Sequence, residues 1–560
     1  MFFFGITPDQ GNCKEKNEKQ EYPSLLWKIT SDDTDNTSYL YGSMHVSDKV
    51  AFHLSDHFFK GIKKSEVVAL ETNPSIWMGK MMDLNIIKGL NDLSDHYNEY
   101  SDDMRNNFYK RAFHLGIPNK KFLSKALSSK HKLTNRFLFR SSGHDSDFEE
   151  NTYLDLFIFR TGKKMGKEIT SLEDYEKSME LYFKAIKPDE DGSIRKSYIN
   201  YGGERQNVYD LMEDAYREGN LDKIDSITKL SATKNYMENL VFKRNQIMAD
   251  NLDSLLQKKS IFAGIGAAHL PGEKGVIEIL RDKGYTLKPV ERKFTDKGKK
   301  KKKEVQEDFM KLEHHTEYAP DSSFYADMPG KLYETSNSGN YKEYYYPEMV
   351  NGAFYHIKRI STYSPLTGIT AKQYSQKIDS LFYENIPGEI LEKKQIQQNG
   401  YIGFKIHNKT RRGNHQKYKV FITPMEILIF KLGGTKDLVD KRIGRKFFKS
   451  LTFKENEHNS WRTYQPPHGD FKVDIKGRSF KHIPEANALG IGSKLHIQSY
   501  DKQSKDYFLL LKKSLHDHNY IEEDSFDLKQ LTKEFANQLN AEIISQKQSY
   551  LNNSFPAINF

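Results

Sequence analysis

The sequence predicts an α/β fold, a mainly parallel sheet flanked by helices, followed by tandem α+β repeats of which the second is incomplete. Three observations lead there. Over residues 21–292, strand-like runs alternate with amphipathic helical stretches, the pattern of a sheet covered by helices. After the lysine-rich DKGKKKKKE at 296–304, the chain becomes rich in Tyr, Phe and turn residues. Finally, SFYADMPGKLY at 323–333 lines up with DFKVDIKGRSF at 470–480, matching Phe324 with Phe471, Asp327 with Asp474 and Gly330 with Gly477. Such self-similarity marks repeated structural units.

Taken in order, residues 1–20 read as a mobile leader. Its opening MFFFGITPDQGNC lacks the basic start and apolar length of a secretory signal. Its Cys13 is the single cysteine of the chain, which excludes an internal disulfide. The α/β domain, 21–292, starts with PSLLWKI and SYLY, continues through EVVAL, a long helical middle and KEITSL, and closes with a helix near 234–257 and the strand SIFAGI. Residues 293–311 read as a basic, solvated linker, because blocks of like charge repel. The repeats are placed at 312–456 and 457–560. FYHIKRI at 354–360 corresponds to YFLLLKK at 507–513, and TAKQYSQKIDSLF to DLKQLTKEFANQL. On that alignment the second copy ends where the first reaches GFKIHNKTRRG, so the sequence is expected to stop inside a domain.

At 560 residues the chain exceeds what one hydrophobic core serves. No apolar run approaches the roughly 18 residues of a membrane-spanning helix. The net charge of +10 raises the question of nucleic acid. Its densest lysines sit in one stretch without interleaved aromatics, so no nucleic-acid partner is expected.

The chemistry concentrates where strands end, which is where open parallel sheets bind ligands. SYLY is followed by Gly42 and His45, EVVAL by Glu71, KEITSL by Glu173, and SIFAGI by Gly266 and His269. The spacing Gly-x-x-His thus occurs twice. Imidazole and carboxylate suit a divalent ion such as Zn, Mn or Co, on which water becomes more acidic. Glycine three residues earlier lets the chain turn sharply or lets backbone approach closely. Met237, Leu240, Val241, Ile247, Met248, Leu252 and Leu255 form a helical apolar stripe that contains Arg244. A guanidinium so placed needs a carboxylate or anionic partner; Glu71 and Glu173 are the candidates, and Asn245 beside it could orient a ligand or cap backbone. His53 and His57 share the i, i+4 spacing of metal pairs but lack the glutamate of a zincin motif, so they read as exposed. No phosphate-binding loop or nucleophile elbow is present.

PSLLWKI, YLYGSMHVSD, VVALETNP, SLEDYE, KRNQIMADNL and GIGAAHLPGEKGVIEILRDKGY together resemble the TraB/GumN family, related to the Tiki metalloproteases, over residues ~20–292. The resemblance implies an α/β domain with paired histidines and acidic residues near a divalent metal (Mn, Co or Zn), acting on a peptide or protein substrate. It implies His45, His269 and Glu71 as metal ligands, Glu71, Glu173, Arg244 and Asn245 as catalytic residues, and Gly42 and Gly266 as close backbone at the cofactor. Many bacterial relatives resemble exported proteins, which points to the periplasm or cell surface. The alternative reading is a non-catalytic binding or signalling protein that keeps this fold and uses its repeats to engage a peptide or surface partner.

Overall fold

The computed structural model describes residues 20–44, 54–86, 107–128, 132–139, 152–338, 341–454, 461–465, 471–476, 478–482, 494–501, 503–513 and 524–560. Cys13, His45 and His53 lie outside the described residues. The chain forms two compact units, one from Met1–Asn73 and Phe157–Asp308, the other from Pro74–Leu156 and Phe309–Phe560. No helix among the described residues is long and apolar enough to cross a membrane.

The first unit is built on a mixed six-stranded sheet. Its strands are β1 (Leu26–Ser31), β2 (Thr34–Ser43), β3 (Val67–Leu70), β4 (Glu168–Ser171), β7 (Ile261–Gly266) and β8 (Thr286–Pro289), in the order β4-β3-β7-β2-β1-β8. A small hairpin of β5 (Tyr198–Tyr201) and β6 (Glu204–Asn207) stands apart from it. The pairs β4/β3, β3/β7 and β7/β2 are parallel. The hairpin β1/β2 and the edge pair β1/β8 are antiparallel, so the parallel character is confined to one side of the sheet. All of β3 and nearly all of β7 are buried. Strands covered on both faces carry near-continuous apolar runs, which is why VVAL and IFAGI are legible as strands.

Helices Asp56–Lys64 and Leu154–Lys164 contribute rings to the packing. Phe58 lies 4.9 Å from Tyr41 and 5.3 Å from Phe262, and Phe59 lies 6.4 Å from Phe157, all edge to face. Within the stretch read as a basic, solvated linker, Asp296–Glu307 is a helix. Thr295 caps it by accepting from Lys297 N, and its hydroxyl donates to Asp56 Oδ2 at 2.6 Å. Pairs such as Lys301–Glu304 at 3.0 Å offset the repulsion among the lysines.

In the second unit the largest element is a seven-stranded antiparallel sheet, ordered β11-β12-β13-β17-β16-β15-β14. A hairpin of β9 (His315–Tyr318) and β10 (Phe324–Met328) precedes it. The sheet strands are β11 (Tyr333–Ser338), β12 (Tyr341–Glu348), β13 (Ala353–Ser361), β14 (Glu389–Gln398), β15 (Tyr401–Lys409), β16 (His415–Ile422) and β17 (Glu426–Gly434). Helix Ala371–Asn385, held by a capping box of Thr370 and Gln373, and helix Lys120–Ser128 share one core with Tyr341, Ile406, Ile427 and Ile429. A second core holds Tyr355, Ile357, Leu428 and Phe430 with Phe447 of helix Ile443–Ser450. The residues of β17 alternate between the two cores, which accounts for its complete burial. After β18 (Thr452–Phe453) come a hairpin of β19 (Trp461–Tyr464) and β20 (Val473–Lys476) and a meander of β21 (Arg478–His482), β22 (Lys494–Tyr500) and β23 (Tyr507–Lys513). Helix Asp524–Gln538 and a hairpin of β24 (Lys547–Leu551) and β25 (Phe555–Asn559) follow.

Candidate active site

The parallel strands deliver their carboxyl ends to one edge of the first unit's sheet. In register, Leu70 of β3 stands opposite Gly264 of β7 and Ser171 of β4, while Gly42 and Ser43 of β2 stand opposite Ile265 and Gly266. Glu71 follows β3 directly. Glu173 is set beside it by main-chain bonds from Leu172 N to Leu70 O at 2.7 Å and from Glu173 N to Glu71 O at 2.9 Å. The four strand ends read from the sequence therefore meet.

Arg244 joins the two glutamates. Its Nε donates to Glu173 Oε1 at 2.9 Å and Oε2 at 3.0 Å, and Nη2 donates to Glu173 Oε2 at 2.5 Å and to Glu71 Oε2 at 2.8 Å. The Arg244 and Glu173 side chains are 10% and 2% exposed, against 15% for Glu71. Burial works against the Arg244 cation, and the two carboxylates outweigh it, holding the pKa above its ordinary value. Burial raises the Glu173 carboxyl against the pull of Arg244. Arg244 Nη1 makes no hydrogen bond with the described residues.

The helix carrying Arg244, Lys243–Leu256, continues from a π-helical turn at Met237–Phe242. Its buried face runs through Val241, Arg244, Asn245, Met248, Ala249, Leu252 and Leu256. That stripe corrects the apolar one, since Leu240, Ile247 and Leu255 are only partly buried. The inward face is centred on the polar pair, which a search for apolar residues alone cannot locate, and the wider turn before it shifts the register.

His269 lies in a single 3-10 turn, Ala267–His269, that leaves β7. Its Nδ1 is 2.7 Å from Asn245 Oδ1, while Asn245 Nδ2 donates to Lys274 O at 2.7 Å. The amide thus presents its oxygen to the ring, so His269 Nδ1 carries the hydrogen of that contact. A second-sphere acceptor on Nδ1 is how proteins orient a ligating imidazole.

The two glycines work by close approach. Gly266 has φ −53° and ψ 132°, and neither it nor Gly42 has positive φ, so left-handed freedom is not what these positions need. A Cβ on Gly266 would stand 3.0 Å from Glu71 Oε1, 3.3 Å from His269 Cδ2 and 4.0 Å from His269 Nε2. Its bare N–H donates to Glu71 Oε1 at 2.7 Å. A Cβ on Gly42 would meet Leu270 Cδ1 at 3.1 Å and Ala267 Cα at 3.3 Å, so that glycine lets the histidine turn fold against β2. Tyr216, absent from the sequence-based site, donates from its hydroxyl to Gly42 O at 3.0 Å. Nothing in its amphipathic helix, Val208–Glu218, distinguishes it from a core tyrosine.

Glu71, Glu173, Arg244, Asn245, Gly266 and His269 are thus brought together, with Gly42 on the neighbouring strand. His45 lies two residues beyond Ser43, outside the described residues. His57 is elsewhere in its hydrogen bonding, with Nδ1 3.1 Å from Glu291 O at an exposed position. Residues 25–289 match the model of the TraB/PrgY/gumN family, the family that the strand-end motifs resemble. A comparison with curated proteins gives no match.

Proposed function

We propose that the first unit is a divalent-metal-dependent hydrolase acting on peptide bonds. The observation that carries this reading is the oriented pair of Glu71 and His269 on either side of Gly266, where a single added carbon would crowd both. The donor chemistry fits a divalent ion of the Zn, Mn or Co class. His269 offers Nε2, its tautomer set by Asn245, and Glu71 offers a carboxylate. His45, from the other Gly-x-x-His, completes the proposed set with His269 and Glu71. When bound, the ion would polarise the scissile carbonyl and make a water nucleophilic at neutral pH.

The protein's own groups have separable tasks in this proposal. Gly266 N–H and Arg244 Nη2 each take one oxygen of Glu71, so the carboxylate is fixed in orientation. Glu71 also serves as the general base for the attacking water. Arg244 Nη1 is the donor for a developing oxyanion or a substrate carboxylate. Glu173 is a positioning residue, because its carboxylate is directed at Arg244 rather than outward. Extracytoplasmic action and a tandem repeat in the second unit, serving as a binding or spacer module, belong to the same proposal.

The test uses chelator-stripped full-length protein. Melting is followed with Mn, Co, Zn or Mg added, for the native sequence, His45→Ala and His269→Ala, alongside cleavage of a fluorogenic peptide library. A ligand at one hundred times its dissociation constant adds about 2.7 kcal/mol. A metal-dependent rise in melting temperature and turnover, both lost in the two variants, is expected. A melt unchanged by every metal would replace the hydrolase with the non-catalytic binding reading.

A further inference from the structure

We infer that the second unit holds a second divalent transition-metal site, formed by His407, His415 and Asp440 and separate from the proposed active site. His407 is on β15 and His415 on β16. In their register His407 faces Lys417 and Lys409 faces His415. The histidines are therefore diagonal neighbours on one face of the hairpin. Asp440 reaches them from the π-helical turn Leu438–Arg442 that follows β17.

His407 Nε2 lies 2.9 Å from His415 Nδ1 and 3.5 Å from Asp440 Oδ1, and all three candidate ligand atoms lie within 4.8 Å of one another. Ligand atoms about 2.0–2.1 Å from a tetrahedral zinc are about 3.3 Å from each other. The two measured separations bracket that value. Two imidazoles and a carboxylate suit zinc and its neighbours in the first transition row, and three protein ligands leave a fourth position for water.

The chemical state also suits a ligand set. Both histidines are buried, with a nitrogen of each ring facing the other. Facing nitrogens 2.9 Å apart share one hydrogen. On loading, that proton moves to the other nitrogen of its ring, so both facing lone pairs become ligands and no net proton is lost.

Lys417 is the competitor. Its Nζ is 2.9 Å from Asp440 Oδ1, where it balances the carboxylate when no ion is bound. Lys409 and Lys436 add positive charge around His415. A divalent ion must drive the Lys417 ammonium toward solvent, so this lysine weakens binding. Once seated, the ion would pin the β15/β16 hairpin to the turn after β17. The sequence signal is a histidine at each end of a hairpin turn, in HNKTRRGNH, with no local hint of Asp440.

The experiment measures Zn and Co binding by equilibrium dialysis and Co absorbance. It uses the full chain carrying His45→Ala and His269→Ala, which removes both proposed histidine ligands of the first site and leaves Glu71 alone there. One ion per chain, lost on Asp440→Asn or His415→Ala and tightened by more than about tenfold on Lys417→Met, is the expected result. Should the histidine variant fail to fold, Asp440→Asn, at a partly exposed position, carries the test. No bound ion, or binding indifferent to Asp440→Asn, overturns the site. So does an ion bound only after Lys417 is removed, because the ammonium would then be the resident cation.

Discussion

Replacing Arg244 by methionine keeps an apolar stem in the helix and removes the charge on which two carboxylates depend. Glu173, with a side chain 2% exposed, loses contacts at 2.5, 2.9 and 3.0 Å, and Glu71 loses one at 2.8 Å. Removing one partner of a buried ion pair costs about 3–5 kcal/mol. For a unit of this size that corresponds to a fall of roughly 6–20 °C in melting temperature. The penalty depends on pH in a defined sense. Burial already raises Glu173 above its reference value of 4.5, and without Arg244 nothing comparable opposes that rise. Between the unfolded value and the raised folded value, the folded state holds a proton that the unfolded chain releases, so stability falls as pH increases through that window. Thermal and urea melts at pH 5 and pH 7 should show the larger deficit, relative to native protein, at pH 7. Adding Glu173→Gln should recover a substantial part of it. Equal deficits at the two pH values, with no recovery in the double variant, would refute the reasoning.

Asn245→Leu removes the group that fixes the His269 tautomer, and a loss of about 10–100-fold in metal affinity or activity is expected with the fold retained; metal titrations matching native protein would contradict it. Gly266→Ala places a carbon 3.0 Å from Glu71 Oε1, so turnover should fall far more than melting temperature, and an active variant would show that the close approach is unimportant. In the second unit, burial lowers the Lys358 pKa to about 8, with Glu343 pulling the other way. Because the unfolded chain binds the extra proton between about 8 and the reference 10.5, stability should rise with pH across that interval. Lys358→Met should abolish the rise, and urea melts from pH 7.5 to 10 would reveal one that persists.

The sequence by itself determined which strand ends would come together. Strands buried on both faces must be apolar, so VVAL and IFAGI announce themselves, and the first polar residues after them, Glu71 and His269, fall where a sheet presents ligands. It also indicated that Arg244, set within an apolar helical stripe, required a carboxylate or another anionic partner. Tertiary structure decided what each group faces. It directed Glu173 at Arg244, gave Gly266 its role through the nearness of Glu71 and His269, and set the Lys243–Leu256 stripe on a polar pair. It also placed helix Lys120–Ser128 in a core with strands of the second unit, and Asp440 near two histidines on a distant hairpin. The reason is common to all of these. Local pattern records how much a segment must bury and how its backbone is punctuated, whereas the partner is fixed by contacts between residues far apart in the chain.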